Sequence, residues 1–449
     1  MKRIWILIVG LSLVSNLLAQ KTLTIDEAIS IALQRNSNLI KGENLLTSSE
    51  ANVKSAYGDL LPSLGLSGSW GWRRVADEGG QSQINFFGEE QITPATKTDT
   101  RSYSLSAGGN VVLFDGLANY AQISRAKNDL ESSEFSLDKL RQDVVYTTTF
   151  YYYGVISTGE LVKVRQDNVS YNEKLLETIK ERNKLGSIPI ADVYTQQVSV
   201  GNAQLLLIQA QNSYENAKNN LLNYLALDIF ENYELVDPYT ETSESDNEEF
   251  LKNHSNLESL VKEALQNRKD YKSKLLDVES AQNGKTIAFS GMLPSLSGNY
   301  GYSTSATKPN SLFDRETYSV GLSLNIPIFS NWNTEANMQF AEVSYLNEME
   351  DLAALERTIK IEVKDSYLNL VASKKQLEVT KSNVIAAKEN RRVNHERYNL
   401  GSGTILDVLQ SDKDYTQALT DNISAKFEYF QNRDKLINAL GKLDFEKYQ

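Results

Sequence analysis

The chain has 449 residues, a formal net charge of −12, two histidines and no cysteine. The acidic balance argues against nucleic acid as a partner. Without cysteine there is no disulfide and no lipidated thiol, and with only His254 and His395 most metal and nucleophile chemistry lacks its residues, so no catalytic, cofactor-binding or metal-binding residue is expected.

Met1 to Ala19 has a basic start (Lys2, Arg3), an apolar run from Ile4 to Val14, and Leu17-Leu18-Ala19 before Gln20. This reads as a signal peptide cleaved after Ala19; as a membrane anchor the run is short of the ~20 residues a span needs. Thr24 to Tyr57 reads as one helix. Thr24-Ile25-Asp26-Glu27 has the spacing of a capping box, Ile25, Ala28, Ile29, Ala32 and Leu33 recur at helical intervals, and Gly58 and Pro62 end the pattern.

From Leu64 the period changes to two. Leu66, Gly68, Trp70 and Trp72 share one face; Ser67, Ser69, Gly71 and Arg73 share the other. In a return strand Tyr103, Leu105, Ala107, Val111 and Leu113 oppose Ser102, Ser104, Ser106 and Asn110, with Val75 to Thr100 a long polar loop between the two. Ala118 to Gly186 is a helical pattern without proline, reaching ~100 Å at 1.5 Å per residue. After Pro189, suited to a first helical turn, helix resumes to near Ala226. Asp228 to Leu251 carries nine acidic residues and no Lys or Arg, and reads as a solvated linker or peripheral band.

The whole pattern then recurs. Leu61-Pro62-Ser63-Leu64 returns as Leu293-Pro294-Ser295-Leu296 at an offset of 232, and Ala32-Leu33-Gln34 returns as Ala264-Leu265-Gln266 at the same offset. Beyond the strands the offset is 215: Phe114 matches Phe329, Tyr152 matches Tyr367, Leu185-Gly186-Ser187 matches Leu400-Gly401-Ser402, and Asp192-Val193 matches Asp407-Val408. The difference of 17 residues lies between Leu64 and Phe114, mostly in the loop, which is shorter in the second copy, Ser305 to Glu316. Two constant offsets mean a duplication. The chain is therefore divided into a signal peptide (1–19), a first repeat (20–227), the acidic segment (228–254) and a second repeat (255–449). In the second repeat a helix is expected from Ser255 to Ala288. Leu296, Gly298, Tyr300 and Tyr302 oppose Ser297, Asn299, Gly301 and Ser303, and Tyr318, Val320, Leu322 and Leu324 oppose Ser319, Gly321, Ser323 and Asn325. A long helix follows from Trp332 to Gly401, and a return helix from Thr404 to near Leu440. In each copy the leading and trailing helices together nearly match the long one, which predicts that they stack end to end beside it.

Four strands of about ten residues, apolar and aromatic on one face and small or polar on the other, have the pattern of a transmembrane β-barrel wall with an aromatic girdle. A soluble half-buried sheet also alternates, but the second face here is uniformly small. A closed barrel needs at least about eight strands, and lipid does not tolerate bare strand edges, so the wall must be shared among chains.

The duplicated unit of strand hairpin and long helix, Leu113-Phe114-Asp115-Gly116 before the first long helix, and Tyr398-Asn399-Leu400-Gly401 before Asp407-Val408-Leu409 resemble the TolC family of outer-membrane efflux proteins. The resemblance implies a mainly α fold with β: a long α-helical barrel plus a transmembrane β-barrel of twelve strands shared by a homotrimer. It implies an outer-membrane channel of a Gram-negative bacterium extending into the periplasm. Such a channel is the exit duct of a tripartite efflux or type I secretion system, with a periplasmic adaptor (membrane fusion protein) and an inner-membrane pump as partners, and no catalysis. A periplasmic coiled-coil adaptor or scaffold is the alternative, but it should lack the aromatic-ended strand pairs. By the same resemblance Leu185, Gly186, Ser187, Leu400, Gly401 and Ser402 form adaptor-contacting turns. Asp192 and Tyr398 match two members of the family's gate; Gly403 stands where it has an arginine. Asp407 and Gln410 match a two-aspartate constriction, of which one acid remains. Trp70, Trp72, Tyr300 and Tyr302 are expected at the membrane interface, against outer-membrane lipid.

Overall fold

The computed structural model describes residues 21–80, 82–92, 94–238 and 256–448. The expected signal peptide, His254 and most of the acidic segment lie outside them. Among the described residues no helix is long and apolar enough to cross a membrane.

In chain order the elements are β1 (Lys21–Leu23), α1 (Ile25–Arg35), α2 (Ser37–Gly58), β2 (Gly65–Asp77), β3 (Ser82–Ile84), β4 (Glu90–Ile92), β5 (Thr96–Phe114), α3 (Ala118–Lys184), α4 (Ile190–Tyr224) and β6 (Tyr233–Leu235). There follow α5 (Leu257–Asn267), α6 (Lys269–Ser290), β7 (Ser295–Ala306), β8 (Glu316–Asn325), α7 (Asn333–Asn399) and α8 (Ile405–Ala439). Helix lengths repeat between the copies: 11 residues in α1 and α5, 22 in α2 and α6, 67 in α3 and α7, and 35 in α4 and α8. The chain divides into two compact units, one of Met1–Glu43, Ser136–Tyr271 and Leu355–Gln449, the other of Asn44–Phe135 and Lys272–Ala354.

The leading helix expected over Thr24–Tyr57 is instead two helices. The capping box at Thr24 is present, with Glu27 N–H donating to the Thr24 hydroxyl and the Glu27 carboxylate accepting from Thr24 N–H. At Asn36 the backbone turns extended (φ −63°, ψ 121°), and its side chain accepts from the N–H groups of Asn38 and Leu39. A side-chain acceptor that satisfies the orphan donors of a new helix start makes the break cheap. The second copy breaks at the equivalent place, Arg268 (φ −63°, ψ 125°), by other means. Arg268 is 5% exposed, and its guanidinium pairs with Asp270 and with Glu362 on α7. The trailing helix α8 ends against this break: Gly441 is left-handed (φ +69°), and a β-carbon there would lie 2.9 Å from Arg268 N. End-to-end stacking therefore involves α6 and not the whole leading segment, and 22 and 35 residues fall short of the 67-residue long helix.

The first unit is centred on residues such as Tyr152, Tyr153, Leu221, Leu370, Tyr429 and Leu436, all essentially without exposure. Tyr152 ties its two short strands. The hydroxyl lies 2.8 Å from Leu23 O and 2.6 Å from Val236 O, and it accepts from Val236 N–H. β1 and β6 pair in parallel between these points, and Lys21 bridges to Glu231. Within the acidic segment, Tyr233–Leu235 is thus a strand paired into this unit; residues 239–255 are outside the described residues.

The second unit holds one antiparallel sheet in the order β2-β5-β7-β8. The strands have 13, 19, 12 and 10 residues, so the first hairpin is longer than the ten expected. Its pairing continues to Asp77 with Thr96, because Val75, Thr98 and Thr100 extend the β-favouring run. The loop beyond also carries a small hairpin, β3 with β4, where the Asn85 side chain accepts from Phe87 and Glu89 N–H. Below the sheet, hydroxyls join helices of the two copies: Ser132 donates 2.7 Å to Asp277 and lies 2.8 Å from the Ser273 hydroxyl.

Candidate functional site

The register fixes the two faces of the sheet. Trp70 stands opposite Tyr103, Gly68 opposite Leu105, and Leu66 opposite Ala107. Ala107 in turn faces Tyr302, Gly109 faces Tyr300, and these face Tyr318 and Val320 on β8. All four expected interface aromatics therefore share one face with Leu105, Leu322 and Leu324. That face is bare: Trp70 is 64%, Leu322 73% and Val320 89% exposed. A contiguous apolar surface of this kind calls for an apolar environment. The other face is satisfied internally. Ser67 meets Ser106 and Ser69 meets Ser104, each hydroxyl pair 2.7 Å apart, and Ser63 donates to Asn110 Oδ1 at 2.7 Å. A bulge at Val112–Phe114 ends the β5–β7 pairing. Gly109 has no room for a side chain, since a β-carbon would lie 1.7 Å from Ser63 O.

The two helical turns are built alike. Gly186 and Gly401 both sit at φ +73°, a conformation that costs a residue with a β-carbon ~1–2 kcal/mol. Gly186 N–H donates to Asn183 O and Ser187 N–H to Arg182 O; Gly401 N–H donates to Tyr398 O and Ser402 N–H to Arg397 O. This is the two-bond closure of a helix C-terminus through left-handed glycine. Leu185 and Leu400 project at 80% and 83% exposure. Pro189 precedes α4 as its N-cap, one position before the first turn expected for it.

Beyond the turns the copies differ. The Tyr398 hydroxyl, nearly buried, donates to Asp192 Oδ2 over a long 3.4 Å. Burial and the Asp192 carboxylate both push the Tyr398 phenol up. Arg182, from the end of α3, lies 5.8 Å from the Tyr398 ring centroid and donates to Asn399 Oδ1 at 3.0 Å. The structure thus places a guanidinium beside this pair although Gly403 carries none. Asp407 is engaged differently. Its carboxylate accepts from Thr404 N–H and the Thr404 hydroxyl, both at 2.9 Å, in a capping box. The Thr404 backbone bond, then its hydroxyl, hold the Asp407 carboxyl below the usual carboxylate range. The cap is intact above that range and is lost as pH falls through the lowered value. Gln410 points elsewhere, donating to Asp414 at 2.7 Å.

The cluster packed behind the turns is Leu175, Ile179, Val193, Tyr398, Ile405 and Val408. Sequence reasoning names Tyr398 but misses Arg182, whose approach depends on the α3 end meeting the α7 end. It also misses Asp412, which is 4% exposed among amides of α3 and reads in sequence as one more acid on a charged helix.

Comparison with known proteins agrees with this geometry. The family model described as "Outer membrane efflux protein" matches residues 28–227 and 260–442. The chain is similar to Outer membrane protein TolC of Vibrio cholerae, 24% identical over 371 residues, covering 80% of this chain and 82% of that one. It is similar to Outer membrane protein TolC of Escherichia coli, 20% identical over 456 residues, covering 99% and 87%. Among solved structures, the outer membrane protein VceC of Vibrio cholerae superposes with a TM-score of 0.77 at 18% identity, covering 93% of this chain and 96% of that one.

Proposed function

The chain belongs to the outer membrane efflux protein family, and from that premise we propose how it forms its duct. It is an outer-membrane channel of a Gram-negative envelope, working with a periplasmic adaptor and an inner-membrane pump, and it is not an enzyme. Three copies close the wall, each giving four strands to a barrel of twelve. The observation that carries this reading is the sheet itself: β2 and β8 are both edges, and its apolar face is bare. Unpaired edges in lipid cost several kcal/mol per group, and pairing β2 of one copy with β8 of the next removes them all. The native mass of detergent-extracted protein should be three times that of the chain. A stable monomer in detergent would overturn the assembly.

The paired turns are the periplasmic tip. Leu185, Gly186 and Ser187, with Leu400, Gly401 and Ser402, are the surface offered to the adaptor; the exposed leucines support this. Asp192 and Tyr398 hold the closed tip, with Arg182 beside them, and the three Asp407 carboxylates form a ring that favours cations. Capping keeps Asp407 ionised and so supports that role. Asp192→Ala and Tyr398→Phe each remove one long hydrogen bond worth ~1 kcal/mol, which is about five-fold in a two-state opening equilibrium. Each should therefore raise conductance in planar bilayers, and the double variant should add little. Unchanged conductance with only a small loss of thermal stability would leave Asp192 as a helix-end charge and nothing more. The relatives' cargo does not carry over, but one relative, of Pseudomonas putida, is named for pyoverdine export.

A further inference from the structure

Behind the Asp192–Tyr398 contact the hairpins are joined a second time. Asp412 Oδ2 on α8 accepts from Asn168 Nδ2 at 2.9 Å and from Asn172 Nδ2 at 3.0 Å, both on α3. Asp412 Oδ1 lies 3.0 Å from the Arg391 guanidinium on α7. Asn172 Oδ1 accepts in turn from Gln196 Nε2 at 3.0 Å and from the Ser199 hydroxyl at 2.9 Å, both on α4. One buried carboxylate thereby links all four helices, two from each copy. Arg391 also lies over two rings, its guanidinium 3.7 Å from the Tyr171 ring centroid and 5.0 Å from that of Tyr415.

This arrangement is costly. Burial pushes the Asp412 carboxyl up, against the pull of Arg391 and of the two asparagines. The adjoining Leu175, Ile179, Val193, Ile405 and Val408 pack α3, α4 and α8 together without any charge, and α7 joins them through Tyr398. An apolar pair of similar volume is often as stable as a buried ion pair, whereas breaking one partner of the pair is strongly destabilising. What the pair adds over an apolar layer is a single permitted register, lost steeply once the partners part.

We propose that Asp412 and Arg391 are positioning residues of the tip: they clamp the second-copy hairpin to the first, and the tip dilates only when this clamp separates. The proposal rests on the channel reading of the tip.

The test uses the full-length channel in planar bilayers, with single-channel conductance and thermal melting recorded together. Arg391→Met and Asp412→Asn each leave one charge buried without its partner, and each should raise the time spent in high-conductance states several-fold. The double variant R391M/D412N bares no charge but has no clamp either: it should regain wild-type thermal stability while keeping the raised time in high-conductance states. Asn168→Ala keeps the ion pair, folds if the single charge variants do not, and should give a smaller rise. Wild-type conductance in the single variants, or a double variant that recovers wild-type conductance together with its stability, would overturn the clamp. Absence of any channel from the unaltered protein would instead count against the channel reading.

Discussion

Leu322→Arg should fail to accumulate as assembled channel in the outer membrane, while Ser323→Arg should assemble. The two positions are neighbours on β8, and alternation puts them on opposite faces: Leu322 pairs across to Gly298 among the bare apolar residues, Ser323 to Ser297. An arginine on a lipid-exposed face near mid-bilayer costs ~2–4 kcal/mol per chain, and the proposed trimer would carry that cost three times. On the other face it meets serine, asparagine and water. The amount of heat-resistant oligomer in the outer-membrane fraction decides between them. Normal assembly of Leu322→Arg together with failure of Ser323→Arg would mean that the two faces are assigned the wrong way round.

Arg268→Ala should lower the stability of the first unit by roughly 3 kcal/mol, the low end for breaking a buried pair because Glu362 is half-exposed. Burial opposes the Arg268 charge, but Asp270 and Glu362 outweigh it and hold the guanidinium protonated more firmly than in water. Removal leaves Asp270, three-quarters buried, without its main partner. Asn36→Ala is the internal comparison. It removes a neutral helix cap at the matching break and should cost only ~1 kcal/mol. Chemical denaturation followed by helix content would show the difference; equal losses would mean that the Arg268 pairs contribute nothing beyond the turn itself.

These two breaks also show where sequence reasoning reaches its limit. The long helices, the glycine turns and the alternation of Trp70, Trp72, Tyr300 and Tyr302 are local patterns, and periodicity finds them. Asn36 left a trace in Asn36-Ser37-Asn38, residues that compete for backbone donors, but the apolar rhythm runs through it. Arg268 left less: Asp270 two residues on is a local partner, but nothing near it in the chain announces Glu362, 94 residues away. The pairing of Val75–Asp77 with Thr96–Thr98 was hidden for a different reason: polar residues outside a membrane can extend a strand without alternating. Near the turns, Asp192 and Tyr398 were singled out by the family resemblance, and the structure brings their side chains within 3.4 Å. Arg182, Arg391 and Asp412 were not, because nothing in a chain of mixed charges says which of them will be buried.

The serine pairs across β2 and β5 bear on what a molecule meets on its way out. Each serine pair uses one proton between its two oxygens at 2.7 Å and keeps one O–H donor and several lone pairs for water, while Gly65, Gly71 and Gly108 on the same face offer no side chain at all. If this face lines the proposed duct, a solute meets there a hydrated surface of small neutral groups with no charge to hold it and no large apolar side chain to bind it, so this stretch has little with which to tell one cargo from another.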